Sequence, residues 1–259
     1  MGTLNGNQTA LMFVYYLITR WKELGKINGK EYIVKTIVTT ETIKTIAERN
    51  GVEIYDVYTG FKWIANVMRE NEGKKNYIGG GEESYGFLCE DFVRDKDAVS
   101  ACVILAEIAA WAKDQGLSLY QLLQKIYVEY GFSKEKGISV VKKGKSGAEE
   151  IEAMMKKFRE NPLTEIAGSK VTYFYDYSTL KGKDYAENET VTLDMPTTSN
   201  VLQYFTEDNT KVSIRPSGTE PKIKFYCEVH SKVKSIDELP EAEKAAEEKI
   251  NQIKASLGI

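Results

Sequence analysis

The chain has 259 residues, with 35 Lys and Arg against 38 Asp and Glu and one His, a net charge of −3 that predicts no broad basic surface for nucleic acid. Its 42% hydrophobic and 28% charged residues suit a folded globular chain, and at about 150 residues per domain the length predicts two domains. A local pocket for a small phosphorylated ligand stays open, because such a pocket needs only a few donors. Cys89, Cys102 and Cys227 lack Cys-x-x-Cys spacing, which fits neither a disulfide framework nor a zinc site and points to the reducing cytoplasm.

The first dense apolar run, Ala10 to Ile18, is shorter than the roughly 20 residues a bilayer requires, so it reads as a buried helix rather than a membrane span or leader. Met1-Gly2 has Gly6 where a myristoylation site wants Ser or Thr, and no anchor is expected. Tyr32 to Thr39 is β-branched and mostly apolar, the composition of a strand buried in a parallel sheet. Ile43, Ile46 and Ala47 then recur at helical spacing before the Asn50-Gly51 stop. Val52 to Tyr58 predicts a second strand, Phe61 to Glu70 a helix, and Tyr77-Ile78 a short strand running into Gly79-Gly80-Gly81. Long helices follow over Lys96 to Lys113 and Leu117 to Tyr130.

From Gly131 to Gly147 the composition shifts to Gly, Ser and Lys, which suggests a boundary and hinge. Ile151, Met154, Met155 and Phe158 form a helical stripe stopped at Asn161-Pro162, with Ser146 and Glu149 expected as its capping box. Beyond it the period becomes two: Val171, Tyr173, Tyr175 and Tyr177 alternate with Thr172, Phe174, Asp176 and Ser178. Strands over Val201 to Phe205, Lys211 to Ile214 and Lys222 to Val229 and a charged amphipathic helix over Glu241 to Leu257 complete the pattern. The expected architecture is an α/β layered domain with a mixed sheet over 1–137, followed by a smaller α+β domain with an antiparallel sheet over 138–259.

Two segments concentrate chemistry. Arg215-Pro-Ser-Gly-Thr-Glu-Pro-Lys222 brings a guanidinium, two hydroxyls, a glycine and an ammonium between two strands, an inventory for an anion or for an ordinary hairpin turn. Gly79-Gly-Gly-Glu-Glu-Ser-Tyr-Gly-Phe87 sets Glu82, Glu83 and Ser84 directly after a strand, acceptors suited to sugar hydroxyls or a solvated acidic turn. Thr59-Gly60 and Arg94-Asp-Lys-Asp97 are weaker signals, and either aspartate of the second reads as a helix cap. Gly144-Lys-Ser146 fails as a phosphate loop, since Ser139 stands where the first glycine is needed. No cluster of His, Cys or spaced Asp suggests a metal site.

The ordered set Leu4-Asn-Gly-Asn-Gln-Thr9, Thr59-Gly-Phe-Lys62, Gly81-Glu-Glu-Ser-Tyr-Gly86, Asp91-Phe-Val-Arg-Asp-Lys-Asp97 and Arg215 to Lys222 resembles the α-D-phosphohexomutases across nearly the whole chain. The long Gly-Glu-Glu-Ser-Tyr-Gly form is most similar to the phosphoglucomutase branch, with phosphomannomutases the nearest rival. Members have four domains, and the resemblance here is to the third and fourth only. The family's phosphoserine loop, in its first domain, and its magnesium loop of aspartates, in its second, have no counterpart in this sequence. The resemblance therefore implies a C-terminal half of a longer enzyme, inactive alone, whose exposed former interfaces invite self-association.

Carried over by residue, the resemblance makes Arg215, Ser217, Gly218 and Thr219 a clamp for the substrate's non-reacting phosphate, supported by Lys222. Glu82 and Ser84 would hold sugar hydroxyls, Thr59 and Gly60 would line the sugar pocket, and Glu83 would be structural. Lys96 would reach the substrate near the reacting end and assist proton transfer. The implied parent reaction interconverts glucose 1-phosphate and glucose 6-phosphate, with Mg2+ and glucose 1,6-bisphosphate as cofactors that this half does not itself bind. The implied partners are a hexose phosphate and the N-terminal half of the same enzyme, without nucleic acid or membrane. A phosphomannomutase or phosphopentomutase fragment, or a non-catalytic sugar-phosphate-binding module, is the alternative.

Overall fold

The structure, a computed structural model, describes residues 3–142, 144–218 and 220–259. The chain divides into two units: the first runs to Phe132 and takes back Lys232–Leu239, and the second holds Ser133–Ser231 and Pro240–Ile259.

The first unit contains α1 (Gly6–Glu23), β1 (Glu31–Thr36), α2 (Thr42–Arg49), β2 (Glu53–Val57), α3 (Phe61–Asn71), β3 (Asn76–Gly81), β4 (Phe87–Cys89), α4 (Ala98–Asp114) and α5 (Leu119–Tyr130). Its four-stranded sheet has the order β2-β1-β3-β4. β1 pairs in parallel with β2 and β3, while β4 returns antiparallel to β3, so the sheet is mixed as expected. β1 is buried along its whole length, the fate of an apolar strand covered on both faces. Tyr32, Val34, Val57, Tyr77 and Leu88 form one face, packed on Phe61, Ile64 and Met68 of α3. α1 is buried from Ala10 through Ile18, all round, because its sequence offers no polar stripe there. Asn5 and Gln8 close its first turn reciprocally as a capping box, and Ser118 and Gln121 do the same for α5.

The second unit contains β5 (Phe132–Val141), α6 (Gly144–Glu160), β6 (Glu165–Ile166), β7 (Ser169–Asp176), β8 (Lys181–Asp184), β9 (Glu189–Thr192), β10 (Leu202–Thr206), β11 (Lys211–Pro216), β12 (Lys222–Ser231) and α7 (Leu239–Leu257). The strands run in the order β5-β12-β11-β10-β7-β8-β9, with β6 beside β7. The pairings of β6 through β12 are antiparallel. Ile151, Met155 and Phe158 of α6 are buried, and Phe158 stands edge-on to Phe225 of β12 at 6.2 Å. α7 buries Ala246, Ile250, Ile253 and Leu257 along one side.

The boundary expected from Gly131 to Gly147 contains the division between the units at Phe132 and Ser133, and most of that segment is β5, a ladder partner of β12, because backbone pairing does not require an apolar alternation. Two expectations change. Ser146 does not cap α6, which already begins at Gly144. The period-two phase of β7 also breaks. Phe205 faces Tyr173 but Thr206 faces Val171, so Thr172 is an extra residue in a bulge and Val171 and Phe174 are both buried.

Candidate functional site

In a parallel sheet, ligands gather at the loops beyond the carboxyl ends of the strands. Here those loops follow β1 at Thr36, β2 at Val57 and β3 at Gly81. One side chain ties them together. Glu82, 6% exposed, accepts from the Gly60 backbone N–H through Oε1 at 2.8 Å, and its Oε2 lies 3.1 Å from Lys96 Nζ. Gly60 sits at φ 113°, a conformation open to glycine, which turns its N–H toward the carboxylate. The loop itself closes by a hydrogen bond from Glu82 N to Gly86 O at 2.7 Å. A Cβ on Gly86 would lie 2.9 Å from both Glu82 Oε2 and Lys96 Cδ, so the ion pair depends on the missing side chain. Each carboxylate oxygen keeps a second lone pair, which leaves Glu82 able to accept a hydroxyl as well.

Lys96 is half exposed, at the entry to α4, whose N-cap is the neighbouring Asp97; the latter accepts from Val99 N and Ser100 N. The capping expected of this segment and the lysine expected at the site are thus adjacent. Hydrogen bonding from the Ser100 hydroxyl, and then from the Ser100 and Val99 N–H groups, holds the Asp97 carboxyl below the usual range. Thr59 is half-buried and Ser84 exposed beside the same loops. Glu83 accepts from Thr36 Oγ1 at 3.3 Å, anchoring the loop to the end of β1.

Several contributors were given no role at the site from sequence, although Leu4, Gly6, Asn7 and Tyr85 lie within the motifs that carry the resemblance. Gly6 lies so close under the loop that a Cβ there would fall 1.9 Å from Glu83 O, and Tyr85 Oη donates to Leu4 O at 3.0 Å. Asn7 Oδ1 accepts from Thr40 N at 3.1 Å, joining α1 to the loop after β1. Lys35, 1% exposed, donates to Asp56 Oδ1 at 2.7 Å and Glu41 Oε1 at 2.9 Å; the two carboxylates outweigh burial and hold its pKa above the usual range for lysine. Their common signal is position, at the carboxyl ends of the strands and the start of α1.

In the second unit, Arg215, Ser217, Gly218 and Lys222 all belong to the β11–β12 hairpin, and Thr219 lies outside the described residues. Ser217 N donates to Lys222 O at 2.8 Å, and Pro221 O accepts from Lys142 N at 2.9 Å, fixing both shoulders of the turn. Lys222 Nζ pairs with Glu220, whose carboxyl is lowered chiefly by that hydrogen bond. Across the ladder Arg215 stands opposite Lys224, so two cations share one face. Among the described residues neither makes an ion pair with a carboxylate. Lys224 was not expected at the site; its alternation within a β-like run was the available signal.

The first unit matches the family described as phosphoglucomutase/phosphomannomutase, alpha/beta/alpha domain III, over residues 5–130, and the second matches its C-terminal domain over residues 139–246. The chain belongs to the phosphoglucomutase/phosphomannomutase family. It is 38% identical over 222 residues to a phosphoglucomutase of Staphylococcus aureus, covering 86% of this chain and 39% of that protein. A phosphoglucomutase of Staphylococcus haemolyticus is 34% identical over 225 residues, covering 87% of this chain and 40% of the relative. The chain thus spans about two-fifths of the length of the relatives it matches. Parafusin, a phosphoglucomutase from Paramecium solved in an open form, shares the fold with a TM-score of 0.57 at 17% identity, over 96% of this chain and 42% of that one. A Thermus thermophilus protein described as a phosphomannomutase follows at 0.56 and 18% identity, over 94% and 41%.

The family generally depends on a metal. Among the described residues no three His, Cys, Asp or Glu gather to hold one. No helix is long and apolar enough to cross a membrane among those residues.

Proposed function

We propose that this chain supplies the sugar and phosphate recognition of a phosphoglucomutase that interconverts glucose 1-phosphate and glucose 6-phosphate. The nucleophilic phosphoserine and magnesium would come from the domains ahead of domain III, and the reaction would pass through glucose 1,6-bisphosphate. The observation that carries the reading is the Arg215–Lys224 pair, two cross-strand cations that make no ion pair with a carboxylate among the described residues. Like charges directly opposed cost stability, and a bound phosphate dianion would remove that cost. Ser217, Gly218, Thr219 and Lys222 would complete the clamp, with the Lys222–Glu220 pair exchanging for a phosphate contact.

Glu82 and Ser84 would accept sugar hydroxyls, with Thr59 and Gly60 lining their loop. Lys96, reaching past Glu82, would sit near the reacting oxygen and hold or move its proton. Separating a phosphate clamp from the reacting end suits an intermediate that must turn round, since such catalysis is mostly positioning and electrostatics. The cytoplasm is the compartment proposed, in keeping with the free thiols of Cys89, Cys102 and Cys227.

The test is a calorimetric titration with glucose 6-phosphate, mannose 6-phosphate and inorganic phosphate, on this chain and on a hybrid carrying the preceding domains of a relative. The expected result is saturable binding that favours glucose 6-phosphate, weakened at least about ten-fold in Arg215→Ala, the worth of one charged hydrogen bond. A preference for mannose 6-phosphate would overturn the glucose assignment. Absence of binding in both proteins would overturn the recognition role.

A further inference from the structure

α4 is apolar on nearly every side, yet of its residues only Ile108 and Ala112 are buried. Val99, Cys102, Val103, Ala106 and Ala110 follow one another at i, i+3, i+4, i+7 and i+11, and all five are exposed. Val99 is 74% and Val103 61% exposed, and Phe92, on the approach to the helix, is 60% exposed. Between Ala98 and Ala112 the helix carries one charge, Glu107, and that carboxylate already accepts from Tyr16 Oη at 2.6 Å. A helix apolar all round is normally buried, and a contiguous exposed apolar face marks an interface.

Two findings name the occupant. The matched family domains are the third and the C-terminal one, and the larger part of each phosphoglucomutase relative is left unmatched. We infer that the exposed face of α4, with Phe92 at its approach, is the seat of the domains that precede domain III in complete family members. This deepens the partner named above and gives it a location; it rests on family membership and not on which sugar is turned over. Because Asp97, next to Lys96, is the N-cap of α4, a partner seated on its face would also fix the helix that positions that lysine.

Cys102 is a built-in reporter, lying on the face, whereas Cys89 and Cys227 are buried. The experiment compares its labelling by a thiol reagent in this chain and in the hybrid that carries the preceding region of the Staphylococcus aureus phosphoglucomutase, read on the monodisperse fraction. The expected result is labelling at least ten-fold slower in the hybrid, with the fast rate restored by Val103→Glu. Equal rates in the two proteins would overturn the inference. Protection that grows with the concentration of this chain alone, and disappears in V103E, would assign the face to a second copy and overturn it as well. Isomerase assays on the same hybrid report the sugar reaction separately, so a failed function and a failed interface are told apart.

Discussion

Glu82 and Lys96 lie fourteen positions apart and meet at 3.1 Å over Gly86, with the other oxygen of the same carboxylate holding the Gly60 N–H. One buried acid thus joins the loop after β2, the loop after β3 and the entry to α4. Glu82→Ala should cost about 1–3 kcal/mol, the penalty for an N–H left without its acceptor. Lys96→Met strands the Glu82 carboxylate, whose side chain is 7% exposed, without its cation and should also cost about 1–3 kcal/mol. Thermal unfolding of the two variants checks both, and an unchanged Tm in Glu82→Ala would count against Glu82 as the junction.

Gly6→Ala adds one methyl group where the Glu83 carbonyl stands 1.9 Å away. The backbone there cannot yield without moving the Glu82 loop, and overpacking of this kind costs about 1–3 kcal/mol. The expected signature is a lowered denaturant midpoint together with NMR shift changes centred on Glu82 to Tyr85. Shifts confined to α1 would show that the loop is not seated on Gly6.

Lys35 gives a prediction of asymmetry. Its ammonium is 1% exposed, whereas the Glu41 and Asp56 side chains are 33% and 36% exposed. Water can reach the acids if the lysine goes, so Lys35→Met should cost roughly 1–2 kcal/mol. Glu41→Gln with Asp56→Asn strands a buried cation and should cost more, about 3–5 kcal/mol. Urea titrations that rank them the other way would sink this account.

Alkaline pH should unfold the protein early. Burial pushes the Cys89 and Cys227 thiols up from 9.0 to about 12, and the Tyr32 and Tyr58 phenols up from 10.0 to about 12. Between about pH 9 and 12 the folded chain therefore keeps protons that the unfolded chain has lost, and stability falls as pH rises. Their contribution is intact below pH 9, and each group removes up to about 1.4 kcal/mol per pH unit within the window. Urea midpoints at pH 8, 9.5 and 11 should decline in that order; a flat series would show these groups to be solvated.

The regular elements were legible where packing writes a period into the sequence. Ala10 to Ile18 is buried throughout as expected, the strand expected over Tyr32 to Thr39 ends at Thr36, and of the Ile151, Met154, Met155, Phe158 stripe all but the half-buried Met154 are buried, because burial there is continuous or helical. β4, β6, β8 and β9 were not legible, being two to four residues long and held by ladder pairing more than by apolar side chains. Of the capping boxes, the one expected, Ser146 with Glu149, does not form, since the motif states what a side chain could satisfy and not where the helix starts, while Asn5 with Gln8 and Ser118 with Gln121 form without having been expected. At the candidate site, residue types were legible and juxtapositions were not. Nothing in the sequence brings Gly60 to Glu82, or marks Lys35 as the buried partner of two acids, because those meetings are made by the sheet order β2-β1-β3.

The return of Lys232–Leu239 to the first unit makes the two units discontinuous in sequence. The chain passes from one to the other three times, near Phe132, Ser231 and Leu239, so no single peptide bond separates them. Cutting the gene after Phe132 would not yield the first unit but one lacking the turn at Ile236–Glu238 that lies against α5. A protease nick at any one crossing would likewise leave Lys232–Leu239 on the same peptide as part of the second unit, so limited digestion under native conditions should give a nicked chain before it gives free halves.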